Sequence, residues 1–207
     1  VTVTLTKSGT ATETADYTLG GTITIPALST FATTPFAVAG DALNETNETI
    51  IIDISAVTNG TESGTQTQTV TIFDDDPIPT VTLSVGVTSI NEKTTATSTS
   101  VTATLSAVAG RNVTVTLSTS GSATSTDFTL PLTITIPAGI QSGSVTLTAK
   151  NDDPLDEASE TVVIDMSCDV TCLETVTQQQ IVTIVDETAA PAVILTVGVT
   201  SINETGT

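Results

Sequence analysis

Apolar residues alternate with threonine along most of this chain. The period-two pattern runs through Val1-Thr-Val-Thr-Leu5, Thr22-Ile-Thr-Ile25, Val81-Thr-Leu83 and Val101-Thr-Ala-Thr-Leu105. It continues in Val113-Thr-Val-Thr-Leu117, Val145-Thr-Leu147, Val162-Val-Ile-Asp-Met166 and Val182-Thr-Ile184. In an extended chain successive side chains point to opposite faces. Each run therefore offers valine, isoleucine or leucine to a core and threonine to water, the signature of an antiparallel sheet with one wet side. Turn formers punctuate the runs at Gly20-Gly21, Asn59-Gly60, Ala109-Gly110, Ala138-Gly139 and Asp153-Pro154. No stretch carries a helical period. The pattern predicts an all-β protein built of tandem, immunoglobulin-like antiparallel β-sandwiches of about seven strands each. The Cys…Trp…Cys spacing of a true immunoglobulin domain is missing.

The pattern also repeats on a larger scale. Val85-Gly-Val-Thr-Ser-Ile-Asn-Glu92 recurs unchanged as Val197 to Glu204, at an offset of 197 − 85 = 112. Asp53 and Asp165, Ile72 and Ile184, Pro79 and Pro191, and Leu5 and Leu117 keep the same offset. A period of this length is that of a domain rather than of a solenoid. The expected organisation is a truncated repeat over 1–78 that lacks its opening strands, a complete repeat over 79–188, and the first strand of a third over 189–207. The join Asp74-Asp-Asp-Pro-Ile-Pro79 is short and proline-stiffened, so adjacent repeats are expected to hold a restricted angle.

Charge changes the picture more than composition does. Twenty-three acidic residues stand against four basic ones, a formal net charge of −19. Such a surface repels nucleic acid and anionic lipid and attracts cations. No apolar run reaches the length of a membrane span. The acidic residues gather where strand runs end: Glu92, Asp127, Asp152, Asp153, Asp156, Glu157, Glu160, Asp186 and Glu187 in the complete copy, and Asp16, Asp41, Glu45, Glu48, Asp74, Asp75 and Asp76 in the truncated one. Strand ends distant in sequence converge at one pole of a sandwich, where like charges repel unless a cation neutralises them. Ca²⁺ suits that place, because it takes six to eight oxygen ligands from flexible carboxylate loops. The alternative is a set of solvated acidic faces that keep sheet edges from pairing.

Asp127-Phe128, the run Thr133-Ile-Thr-Ile-Pro-Ala-Gly139, Asp152-Asp153, Glu157-Ala-Ser-Glu160-Thr-Val-Val-Ile164 and Val182-Thr-Ile-Val-Asp-Glu187 follow one another in an order that resembles the Calx-beta domain family. The first copy keeps the order as Asp16-Tyr17, Thr22 to Ala27, Asn44-Glu45, Glu48, and Val70-Thr-Ile-Phe-Asp-Asp-Asp76. The resemblance implies a seven-stranded sandwich with calcium at the pole facing the next domain. It implies Glu92, Asp127, Asp152, Asp153, Glu157, Asp186 and Glu187 as ligands in the second copy. The first copy departs from the pattern with Gly40 and Asn44 at the places of Asp152 and Asp156, and the second has Glu187-Thr188 for Asp75-Asp76.

Cys168 and Cys172 are the only cysteines. They read either as a local disulfide, which fits an oxidising compartment, or as two unpaired small loop residues. A zinc site would need further soft ligands that a histidine-free chain does not supply. Asn44, Asn47, Asn59, Asn112 and Asn203 each open an Asn-X-Thr sequon, a candidate glycosylation site in a secreted protein. Without histidine no Ser-His-Asp or Cys-His device can be assembled, so an enzyme is not expected. The expected function is a calcium-binding, rigidifying extracellular or cell-surface repeat, part of a stalk or adhesin. Its partners are neighbouring repeats or identical subunits, and a cell-surface or matrix ligand. The alternative function is a subunit of an extracellular filament assembled by β-strand addition. An arbitrary window cut from a giant repeat protein accounts for the same sequence.

Overall fold

A computed structural model describes residues 1–93, 97–151, 157–174, 176, 178–187, 190–201 and 203–204, and every regular element among them is a strand. Six strands lie in the first copy: β1 (Thr2–Gly9), β2 (Tyr17–Leu19), β3 (Thr22–Thr24), β4 (Phe36–Val38), β5 (Glu48–Thr58) and β6 (Thr67–Ile72). Nine follow in the second: β7 (Val81–Val85), β8 (Ser89–Asn91), β9 (Ser98–Leu105), β10 (Val113–Gly121), β11 (Phe128–Thr129), β12 (Thr133–Ile136), β13 (Ser142–Ala149), β14 (Glu160–Cys168) and β15 (Gln179–Val185). Each alternating run of the sequence lies within one of these strands or overlaps it.

The second copy is a two-sheet sandwich. One sheet has the order β12-β10-β14-β15-β8 and the other β11-β13-β9-β7. All pairings are antiparallel except β15 with β8, where Thr183, Ile184 and Val185 lie beside Ser89, Ile90 and Asn91. The inward residues of both sheets make one continuous core, with Val81, Val101, Val113, Val115, Ile134, Ile136, Leu147, Val162, Ile164, Val182 and Ile184 buried. The alternation explains this directly: Thr114 and Thr116 point away while Val113, Val115 and Leu117 fill the space between sheets.

The first copy repeats half of this plan. Its sheet β3-β1-β5-β6 matches β12-β10-β14-β15 strand for strand, and the pair β2-β4 matches β11-β13. Among the described residues no strand stands where β7, β8 and β9 stand in the second copy. Its buried cluster is accordingly small: Tyr17, Leu19 and Ile50, with Ala11, Ile52 and Ile72 packed against it.

Residues 190–201 take part in no strand ladder. A strand persists only when a neighbour takes up its N–H and C=O groups, and among the described residues none lies beside this segment. Its apolar side chains are open, with Val193 94%, Leu195 91% and Val197 67% exposed.

The two copies meet through loops. The Gly110 N–H donates to the Asn44 carbonyl at 3.0 Å, and Asn44 and Ala109 form a parallel bridge. The Arg111 Nη2 donates to Asn44 Oδ1 at 2.7 Å and reaches the Val170 carbonyl at 3.4 Å. Gly110 leaves room for the Glu45 side chain at this approach, since a Cβ there would sit 2.1 Å from Glu45 Oε1. A disulfide joins Cys168 and Cys172, with Cα atoms 5.5 Å apart, in the turn that carries Val170 to the junction. Closing so short a loop stabilises the chain little, so its effect is to shape that turn.

Candidate metal centre

The antiparallel pairing of β5 and β6 sets Glu48 opposite Ile72, so the start of β5 lies beside the end of β6 and the residues after it, Asp74–Asp76. The pairing of β2 and β4 sets Tyr17 opposite Val38, which places Asp16 at the mouth of the loop running from residue 39 to Glu48. Gly9 makes the chain cross between sheets. Its φ of 119° lies in the left-handed region, and a Cβ would strike the Thr49 carbonyl oxygen at 2.1 Å. Gly121 plays the same part against Thr161 in the second copy. Strand geometry thus gathers carboxylates from four separate segments at one pole.

They line a cleft of about 80 Å³ whose walls include Asp16, Asp41, Glu45, Glu48, Asp74, Asp75 and Asp76. No lysine or arginine is among its lining residues. One carboxylate oxygen each from Asp16, Glu45 and Glu48 lie within 4.8 Å of one another. Two oxygens bound to one calcium at its usual ligand distance are at most about 5 Å apart. The triplet therefore fits a single ion of that size, with Asp41 and Asp74–Asp76 around it to complete an oxygen shell. Hard oxygen donors suit calcium; the two cysteine sulfurs are locked in the disulfide and the chain has no imidazole.

The electrostatics show what the cluster costs without a cation. Burial raises the Glu45 carboxyl above its usual range, and the charges of Asp41, Asp16, Asp74 and Asp76 raise it further. Burial also raises Glu48, helped by the charge and a shared hydrogen bond of Asp16 and by the charge of Glu45. Asp76 is raised by desolvation and then by Asp74, Asp75 and Asp41. Like charges are held together by the backbone, and Glu45, Glu48 and Asp76 resist ionising beside the others.

Asn44 anchors this pole. It is 5% exposed, and its Nδ2 donates to Asp74 Oδ2 and to the Asp76 carbonyl, both at 2.9 Å. Its Oδ1 receives Arg111, as described above. Asn44, also a candidate glycosylation site, is thus buried with its Nδ2 donating twice. Asn47 is exposed, and its Oδ1 accepts from the Asp74 N–H at 3.0 Å. Asn112 is exposed and accepts from the Ala138 N–H at 3.0 Å. Asn59 and Asn203 are exposed.

In the second copy, Asp152, Asp153 and Asp156 lie outside the described residues. The others occupy the corresponding pole. Glu92 and Asp127 are each 8% exposed. Asp127 Oδ2 accepts from Thr124 Oγ1 at 2.9 Å, and Oδ1 from Thr126 Oγ1 at 2.9 Å. The parallel β8–β15 pair carries Glu92 alongside Asp186 and Glu187, with the Lys93 N–H donating to Glu187 Oε2 at 3.1 Å. The Glu157 N–H donates to Asp186 Oδ2 at 2.6 Å. Of the candidate ligands, then, Asp16 and Glu45 join one tight triplet, Asp41, Asp74, Asp75 and Asp76 line the same cleft, and Glu92, Asp127, Glu157, Asp186 and Glu187 share the second pole. Glu48, one of the acidic residues at the strand ends, completes the triplet. Its signal was present in the sequence, since it falls at the place of Glu160 at the mouth of the same strand.

No family model matches the chain, and no curated protein matches it. Solved structures do. A two-domain protein of unknown function from Bacteroides fragilis is 12% identical with a TM-score of 0.40, over 52% of this chain and 46% of that one. This chain thus spans less than half of that protein. The apo form of the Calx CBD1 domain is 15% identical with a TM-score of 0.42, over 52% of this chain and 98% of that domain. The calcium binding domain CBD12 of CALX1.1 is 17% identical with a TM-score of 0.32, over 79% of this chain and 66% of that one.

Proposed function

We propose that this chain is a non-enzymatic structural repeat module, extracellular or on a cell surface, in which calcium fixes the angle between successive units. In this reading 1–78 and 79–188 are two units of one kind and 189–207 opens a third. The observation that carries it is the place of the acidic cleft. Glu45 and Glu48 follow closely on Asn44 in the chain, and the Glu45 side chain lies against Gly110, the contacts that join the copies. An ion bound by Glu45 would pull in the loop that Arg111 and Gly110 grip, so filling the site and stiffening the junction are one event. Net charge, scarcity of lysine and the closed disulfide support an oxidising, calcium-rich exterior. A stalk or adhesin segment is the role such stiffening serves.

The test is calorimetric titration of the intact chain with calcium chloride. Heat of binding is expected at dissociation constants between about 10⁻⁶ and 10⁻³ M, the span from sensors to extracellular modules. Glu45→Gln with Glu48→Gln should remove one class of sites. A flat titration to the top of that range would leave an acidic spacer with no ion in it.

A further inference from the structure

A groove of about 710 Å³ opens on the second copy between β10, β11, β13 and the turn at 122–127. That size is ordinary for a small-molecule site. Ala123, Phe128, Leu130, Pro131 and Leu132 supply apolar walls, and Thr119, Ser120, Ser125 and Thr129 carry hydroxyls into the lining. Lys150 is the one charged residue among those that line it. In a chain of net charge −19, a concavity without a carboxylate in its lining stands apart from the acidic poles.

The first copy fills the same place with its own side chain. Lys7 stands where the second copy has Thr119 (119 − 7 = 112), and Glu13 where it has Ser125 (125 − 13 = 112). Leu19 matches Leu130 (130 − 19 = 111), one residue having dropped out in between. The Lys7 Nζ donates to the Leu19 carbonyl at 3.0 Å and pairs with Glu13. Its side chain is only 17% exposed, so it lies across the equivalent of the groove as a plug.

In the second copy both ends of the plug are gone, with threonine for lysine and serine for glutamate. Ser120, Ala123, Thr124 and Thr129 meanwhile repeat Ser8, Ala11, Thr12 and Thr18 unchanged. A cation returns from another direction. Lys150 takes the place of Ala39 (150 − 39 = 111); its N–H donates to the Asp127 carbonyl at 2.8 Å and its Nζ to the Ser125 carbonyl at 2.6 Å. That bond uses one of the ammonium's three donors. The exchanges therefore empty the groove and replace a neutral ion pair by a lone positive charge.

We propose that this groove binds a saccharide unit bearing one carboxylate, a uronic acid within an otherwise uncharged glycan. The carboxylate takes the remaining Lys150 donors, as charge-assisted bonds. The sugar hydroxyls exchange hydrogen bonds with the serines and threonines, and its C–H face rests on Phe128 and Leu132. A simple alkyl acid would leave the lining hydroxyls unmatched. Polyanions and further copies of this acidic chain are repelled by the net charge, whereas a single carboxylate meets that field only weakly.

Titration of the intact, isotope-labelled chain with sodium glucuronate, in EDTA and read by amide chemical shifts, tests this apart from calcium. Amides over 119–132 and 146–150 should move together, with a dissociation constant of about 1 mM, as ligand efficiency gives for so small a molecule. Glucose keeps the ring without the charge, and acetate the charge without the ring. Each should bind at least about tenfold more weakly, the weight of a charge-assisted bond or of the sugar contacts. Lys150→Gln should weaken glucuronate about tenfold and leave glucose as it was. Thr119→Lys with Ser125→Glu rebuilds the plug of the first copy. Both positions are exposed, so the fold should stand, with core amides unmoved, while glucuronate binding disappears. The proposal is overturned if glucuronate at about 10 mM moves no amide of the groove, or if glucose binds as tightly. It is equally overturned if acetate or a blocked Gly-Glu-Gly peptide does as well as glucuronate, which would mean a bare carboxylate site, or if the rebuilt plug leaves binding intact.

Discussion

Val-Thr-Val-Thr-Leu occurs twice, at 1–5 and at 113–117, and the two copies live in different worlds. In the second, Val113 and Val115 are 0% exposed and Leu117 2%. In the first, Val1 is 43% exposed and Val3 and Leu5 are half-buried. The strand has the same neighbours, β3 and β5 for β12 and β14, and the same register from Leu5 and Leu117 onward, although β1 carries a register shift against β5 at Thr4–Leu5 that β10 lacks against β14. What differs is the facing sheet, which has four strands over β10 and only β2 and β4 over β1. Identical local sequence makes an identical strand, but how far that strand is buried is decided by elements far away in the chain.

Truncation at matched positions breaks this comparison most sharply. Leu117→Ala empties a closed core and should cost about 2–5 kcal/mol, whereas Leu5→Ala should cost less than half as much, because its site is already open to water. Denaturant unfolding followed separately in each copy by hydrogen exchange measures both. Equal losses would mean that the first copy is as closed as the second.

The junction comes next. Asn44→Ala leaves Arg111 Nη2 only its longer bond to the Val170 carbonyl and strips two bonds from the Asp74–Asp76 turn, a loss of about 1–3 kcal/mol. Faster proteolysis between residues 73 and 80 should report it. Gly110→Ala is gentler. Its new methyl meets the Glu45 side chain from Cγ to Oε1 and no backbone, so the fold should hold with that side chain displaced while calcium affinity at the first pole drops about tenfold, as for disturbed ligand support elsewhere. The second pole should not respond.

Half of this contrast was legible beforehand. Alternation located the long strands, and the 112-residue offset showed which segments are equivalent. The short strands β2, β4, β8 and β11 escaped, because two or three residues carry no period and are held by their neighbours. The acidic pole was legible as a list, but not as a cluster. Which of these carboxylates meet was not legible, because Glu48 and Asp16 are brought together by the pairing of distant strands, a tertiary event. Asn44 read as a glycan acceptor because a three-residue motif says nothing about burial.

Proton linkage gives the smallest expected effect and opposite signs in the two copies. Glu45, Glu48 and Asp76 have raised folded values, so their contribution to stability is present below the unfolded carboxylate range and is lost as pH rises through the folded values. In EDTA the first copy should therefore gain stability as pH falls from 7 towards that range. Asp169 in the second copy is lowered by hydrogen bonds from Thr171. Its contribution is present above the unfolded value and fades as pH falls through the folded one. A slight loss there, read by thermal melts at several pH values, is the expected counterpart.

Calcium at the triplet Asp16, Glu45 and Glu48 is the point on which the rest turns, and hydrogen exchange of the intact chain in millimolar calcium against EDTA addresses it directly. Amides over 11–17, 43–50 and 72–76 should slow by about tenfold or more with the ion, as mass action on a folded-state site requires, and 113–117 should keep its rates. In a Glu45→Gln, Glu48→Gln chain the slowing in the first copy should vanish. Unchanged rates over those three segments in the parent chain, or equal slowing in the double variant, would contradict an ion at that place.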